Sequence, residues 1–127
     1  MLEVTEHSLI SNYEEVRARL TPWRRQGLRL AVDDAGSGYA SLRHILQLKP
    51  DVIKLDQSLI RDIDRNRDGR ALAAAMVCFA RETGSSVVAE GVETGSELAA
   101  LRRLKVGTAQ GFLTGRPGAL PMQAATG

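Results

Sequence analysis

Apolar and polar positions along this chain change period repeatedly, from two to three or four and back. "LEVT" (2–5) alternates apolar and polar, which predicts a short strand. Leu9, Tyr13, Val16, Leu20 and Trp23 recur every three or four residues and predict a helical face with Trp23 in the core. Thr21-Pro22 reads as an N-cap followed by a first-turn proline, which predicts a kink or a second short helix there, ended by Gly27. "LRLAVD" (28–33) is a predicted strand. "SLRHILQLK" (41–49) is a predicted short helix with Leu42, Ile45 and Leu46 inside, stopped before Pro50. "VIKLD" (52–56) predicts a strand, and the polar stretch "RDIDRNRDG" follows. "RALAAAMVCFARET" (70–83) predicts a strong helix, with Leu72, Met76, Phe79 and Ala80 on one face and Gly84 as its stop. "SVVAE" (86–90) is strand-like, and "SELAALRRLK" (96–105) is helical with Leu98, Leu101 and Leu104 inside. A short strand near 108–112 precedes Pro117.

The repeated unit is strand then helix, so the fold class is α/β with a parallel sheet. The unit builds either an open doubly wound sheet or a closed barrel, and a closed barrel of eight units needs about 250 residues. At 127 residues the chain is the size of one domain, here taken as 1–118 with a flexible tail at 119–127. The abrupt start, "MLEVTEH", reads as a beginning inside a larger domain. A composition of 43% hydrophobic and 25% charged residues is that of a soluble globular protein. No apolar run reaches the length of a membrane span, and no signal peptide is visible. One cysteine allows no intrachain disulfide, and together these features predict a cytoplasmic setting. Cys78, inside "AAAMVCFA", reads as a small buried residue, and His7 and His44 as surface or helix-face residues. The net charge of +2 is scattered among acids and aromatics are only 4%, so a DNA-binding groove is not expected.

Strand parity carries the functional argument. Alternate residues of a strand point to opposite faces. In each predicted strand one parity is apolar: Leu2 and Val4, Leu30 and Val32, Ile53 and Leu55, Val87 and Ala89. The opposite parity delivers Glu3, Asp33, Lys54, Asp56 and Glu90 near the C-terminal strand ends, where parallel α/β folds bind ligands. Asp34 adds a carboxylate as the chain leaves its strand. Two unit charges 4 Å apart repel by about 4 kcal/mol at an effective dielectric near 20. Some of these acids must stay protonated, or cations must neutralise them. An oxygen-only ligand set suits Mg²⁺ or Mn²⁺, and two adjacent carboxylates fit a pair of ions sharing a bridging ligand.

These residues resemble the EAL family of cyclic-di-GMP phosphodiesterases, nearly end to end. "LEVTE" is similar to the family's E-x-T-E strand and "AVDDAGSGYASL" to its D-D-F-G-T-G-Y-S-S-L segment. "DVIKLD" resembles the K-x-D strand, "VVAEGVET" the A-E-G-V-E strand, and "AQGFLTGRP" the closing Q-G-Y…P segment. The resemblance implies a (β/α)8 TIM-barrel-like fold, here about its last five βα units with the N-terminal strands missing. It implies Glu3, Asp33, Asp34 and Glu90 as metal ligands, with Asp33 bridging two ions. Lys54 and Glu90 would be catalytic, Lys54 contacting the attacking water and the phosphate, Glu90 helping to bind or deprotonate that water. Gln110 and Asp56 would act close by as orienting or substrate-contacting groups, and Gly115, Arg116 and Pro117 would lie near the nucleotide. Glu6 would brace the loop 34–41, which shapes metal binding and a dimer contact, while Gly36 and Gly38 let that loop turn tightly. The reaction would convert cyclic di-GMP to linear pGpG with two Mg²⁺ or Mn²⁺ ions, in a parent protein with attached sensor or GGDEF-type domains.

The departures are specific. The Glu-Ala-Leu motif is absent from the sequence ("SELAAL" only resembles it), and so is the family's metal-binding Asn. Ala35 and Ser37 stand where the family commonly has Phe and Thr. The resemblance therefore implies that the 127 residues alone are inactive or impaired, and that their bare sheet edges favour self-association. The alternatives are a non-catalytic module that binds cyclic di-GMP or a protein partner, and an unrelated two-metal phosphohydrolase.

Overall fold

A computed structural model describes residues 1–5, 10–36, 39–110 and 118–119; for 39–41, 108–110 and 118–119 it describes the backbone alone. The elements run β1 (Leu2–Val4), α1 (Tyr13–Arg25), β2 (Leu30–Ala35), α2 (Tyr39–Leu48), β3 (Val52–Leu55), α3 (Gln57–Ile60), α4 (Arg67–Thr83), β4 (Ser86–Glu90), α5 (Gly95–Arg103), β5 (Thr108–Gln110) and β6 (Gly118–Ala119). The strands form one sheet in chain order, β1-β2-β3-β4-β5-β6. The first five are parallel, as the alternation predicts, and β6 returns antiparallel to β5. β6 was not expected, and it straddles the boundary placed after residue 118.

The apolar parity packs under the helices. Val32, Ile53, Leu55, Val87 and Ala89 meet Ile45, Met76, Val77, Ala80 and Leu101 in the main core. Val4, Leu30 and Leu48 form a smaller cluster covered by Tyr13, Val16 and Leu20 of α1. The opposite face keeps Ala31 and Val52 buried below the charged strand ends.

Helix boundaries follow local chemistry. Asn12 caps α1 by accepting from the Glu15 N–H, Asn66 caps α4, and Gly84 ends α4 in the left-handed conformation at φ 79°. α3 fills the four residues between the predicted strand and the polar stretch, where no helix is expected; Asp56 caps it, and Ile60 at its end and Ile63 after it are fully buried.

Several local expectations are corrected. α1 runs unbroken through Pro22, and the Thr21 hydroxyl donates to Arg17 O at 2.8 Å rather than capping a new helix. The proline lacks the N–H that would reach Ala18, but Ala18 is exposed, so water can serve its carbonyl. Trp23 is 61% exposed. The inner position of that turn belongs to Arg24, four residues after Leu20, which donates to the carbonyls of Leu48 and Lys49 and pairs with Asp51 at 3.1 Å. On α2 the inner face is His44, Ile45 and Leu48, while Leu42 and Leu46 are exposed. His44 is buried because α1 lies over it, with the Tyr13 hydroxyl 2.9 Å from Nδ1. Cys78 is exposed, since the core side of α4 is Ala73, Met76, Val77 and Ala80. His7 lies outside the described residues.

Candidate metal centre

Four neighbouring strands bring their charged ends together. Glu3 comes from β1, Asp33 and Asp34 from β2, Lys54 from β3 and Glu90 from β4. One carboxylate oxygen each from Asp33, Asp34 and Glu90 lies within 4.8 Å of the others. Lys54 Nζ donates to Glu3 Oε2 at 2.8 Å and lies 3.8 Å from Glu90 Oε2.

The position of Asp34 needs an explanation, because adjacent residues of a regular strand point to opposite faces. β2 does not stop at Asp33, as the sequence suggested, but continues to Ala35. Its pairing with β3 shifts between Val32 and Ala35, and Asp34 has φ 56°. This bulge brings both aspartates to one side and returns Ala35 to the core, where it is fully buried. The Asp34 N–H donates to Asp33 Oδ1 at 2.8 Å, which fixes the pair. Gly36 follows at φ 97°, a turn that suits glycine, and a Cβ there would come 2.9 Å from Leu59 Cδ2.

Crowded carboxylates change one another's protonation. Burial pushes the Glu90 pKa up to about 7, helped by a hydrogen bond with Asp33 and by the charges of Asp33 and Glu3, while Lys54 opposes the rise. Burial alone would lower the Lys54 pKa, but the Glu3 hydrogen bond and the charges of Glu90, Glu3 and Asp33 outweigh it and hold it above the ordinary value. Lys54 is thus a firm cation, and Glu90 is the acid that keeps its proton near neutrality. An oxygen-only set of three carboxylates fits a hard divalent ion.

Binding such an ion must displace the Glu90 proton. Mn²⁺ affinity, measured by titration calorimetry, is expected to rise with pH and level off above about 7.5, being roughly 30-fold weaker at pH 5.5. Without metal the sign on folding is opposite. The Glu90 contribution to stability is full below the ordinary 4.5 and is lost as pH rises through about 7.

Behind the site, the loop after Glu90 is held by Glu97. This carboxylate is 3% exposed. It accepts from Glu93 N at 2.9 Å, Thr94 N at 3.3 Å and Asp62 N at 3.0 Å, joining a capping box to the turn after α3. No sequence argument singled out Glu97 beyond "SELAAL"; Thr94 three residues before a glutamate was the available signal. Glu97→Ala strands these N–H groups and is expected to lower stability by about 2–3 kcal/mol in urea unfolding.

The remaining expected site residues are placed as follows. Asp56 spends Oδ2 on the N–H of Ser58, at 2.8 Å, and on the Ser58 hydroxyl, which makes it a helix cap and not a member of the carboxylate cluster. Gln110 pairs with Glu90 in register across β4 and β5, and its side chain is outside what is described. Glu6, Gly38, Gly115, Arg116 and Pro117 lie outside the described residues.

The cyclic di-GMP phosphodiesterase NbdA of Pseudomonas aeruginosa is 40% identical over 123 residues, covering 97% of this chain and 16% of NbdA. The probable cyclic di-GMP phosphodiesterase PdeA of Escherichia coli is 37% identical over 92% of this chain and 16% of its own length. The chain thus spans about one sixth of these curated relatives. Klebsiella pneumoniae BlrP1, solved as a manganese/cyclic di-GMP complex at pH 9.0, superposes with a TM-score of 0.80 and 40% identity, over 91% of this chain and 29% of BlrP1. The EAL domain of Mycobacterium smegmatis DcpA superposes with a TM-score of 0.82 and 34% identity, over 93% of this chain and 53% of that one. The parallel βα sheet is therefore part of a TIM-barrel-like α/β fold. The EAL domain family matches residues 1–117, and the chain belongs to that family.

Proposed function

We propose that this chain is the C-terminal part of a phosphodiesterase domain that hydrolyses one phosphodiester bond of cyclic di-GMP to give linear pGpG. The observation that carries the reading is the gathering of Asp33, Asp34 and Glu90 within 4.8 Å, beside a lysine paired with Glu3. The names of its relatives, several of them cyclic di-GMP phosphodiesterases, support the substrate. BlrP1 complexes with manganese and with calcium support a divalent cation, which we assign as Mg²⁺ or Mn²⁺.

Asp33, Asp34, Glu90 and Glu3 would hold two such ions. The ions, when bound, would activate water and neutralise charge developing on the phosphate. Lys54 keeps its proton and orients the attacking water and a phosphate oxygen. Glu90 takes part in binding that water and accepts its proton. Gln110 and Asp56 orient these groups from the flanking strand and cap, and Gly115, Arg116 and Pro117 face the nucleotide. Glu6, Gly36 and Gly38 support the loop after Asp34. The substrate and a cytoplasmic signalling role, with sensor or GGDEF-type domains attached, complete the reading. None of the helices among the described residues is long and apolar enough to cross a membrane.

The test compares residues 1–127 with the same chain extended upstream, each incubated with cyclic di-GMP and Mn²⁺ and followed by chromatography. The longer chain is expected to release pGpG and the 127 residues to release little or none. Binding of cyclic di-GMP without turnover by both would instead favour a non-catalytic module.

A further inference from the structure

Ser86 opens β4 and Glu90 closes it, so the two ends of this strand lie about 13 Å apart. The Glu90 end belongs to the carboxylate cluster. At the Ser86 end the structure has a separate cleft of about 530 Å³, walled by α4, β4 and the turn after α5. Val77, Ala80 and Val87 give it a buried apolar wall. Arg81, in the last turn of α4, and Lys105, after α5, add two exposed cations, and Ser86 adds a hydroxyl. No carboxylate is among the described residues that line it, and Glu82, next to Arg81 in sequence, is outside the lining.

Basic residues near helix C-termini often serve the last carbonyls of the helix. Here backbone N–H groups serve them. Ala80 O accepts from Gly84 N and Ser85 N, while Ala100, Leu101 and Arg102 accept from Leu104, Val106 and Lys105. Asp51, whose carbonyl accepts from Ser86 N, spends its carboxylate on Arg24 and on the Leu30 N–H. The side chains of Arg81, Lys105 and Ser86 have no hydrogen-bond or ion-pair partner among the described residues. Donors thus converge beside an apolar wall with no acceptor supplied by the described residues. We infer that this cleft binds a small soluble phosphate monoester. The phosphate dianion sits between Arg81 and Lys105 with the Ser86 hydroxyl donating to it, and the organic group lies against Val77, Ala80 and Val87. Two cations match a dianion, and the wall would be left unused by a bare ion. Nothing here depends on the phosphodiesterase reading.

Phenyl phosphate carries both parts of such a ligand and serves as the probe, titrated by calorimetry into the metal-free 127-residue chain. One site is expected, with inorganic phosphate bound at least about fivefold more weakly because it leaves the wall bare. Arg81→Ala and Lys105→Ala are each expected to weaken phenyl phosphate about tenfold, the scale of a lost charge-assisted hydrogen bond. Arg81→Lys keeps most of the affinity, and Lys54→Met, at the other end of the sheet, leaves it unchanged. Both rim side chains are exposed, and unchanged circular dichroism checks that the variants fold. Absence of binding at about 10 mM overturns the inference. So does binding that survives both rim substitutions, or that is lost in Lys54→Met, which would move the phosphate to the carboxylate end. Equal affinity for inorganic phosphate overturns it as well. Sedimentation with vesicles containing phosphatidic acid, without binding of phenyl phosphate, would give these cations to a lipid headgroup and equally overturn it.

Discussion

Asp33→Ala is expected to lower cyclic di-GMP hydrolysis by the domain containing this chain by about a thousandfold, the scale of a lost metal-binding carboxylate. Asp33 is the hub of the site. It accepts from the Asp34 N–H at 2.8 Å, adjoins both other carboxylates of the cluster and hydrogen-bonds Glu90. Removing it leaves Asp34, Glu90 and Glu3 as acidic ligands and frees the bulge that aims Asp34. The substitution also removes a charge that raises the Glu90 pKa, so Glu90 is expected to titrate nearer its ordinary range. The readouts are pGpG release and Mn²⁺ titration. Because Asp33 sits on the site face and not in the core, metal-free stability is expected to hold or rise slightly. Activity retained within about tenfold would contradict the assignment of Asp33 as a ligand.

Lys54→Met is expected to cost about a hundredfold to a thousandfold in the same assay, as when a preorganised charge donor is removed from a reacting oxyanion. Methionine keeps much of the buried stem, so the loss reports the ammonium group. Without it Glu3 loses its 2.8 Å partner and Glu90 its nearby cation. Since Lys54 holds the Glu90 pKa down, its removal is expected to move Glu90 above about 7 and shift the rise in Mn²⁺ affinity to higher pH. A purely structural role for Lys54 would lower stability but leave that pH midpoint in place. The pH shift, measured by calorimetry on residues 1–127, therefore separates positioning chemistry from support of the fold.

What the sequence by itself determined was set by short periods. Alternation in "LEVT", "LAVD", "VIKL" and "SVVAE" gave the strands and their two faces, because a strand's geometry repeats every two residues whatever surrounds it. The same alternation put Glu3, Asp33, Lys54 and Glu90 on one side, where the structure joins them through contacts of 2.8 Å and 3.8 Å and a common cluster. The helix stop at Gly84 was equally local. What only the tertiary structure decided depended on partners distant along the chain. Asp34 joins the cluster because β2 slips against β3, and a register belongs to two strands together. Glu97 is buried because Asp62, 35 residues earlier, supplies an N–H to it. His44 is inside and Leu46 outside because α1 arrives over one side of α2. An amphipathic pattern says that a helix has a buried side; which side is covered is settled by the element packed against it.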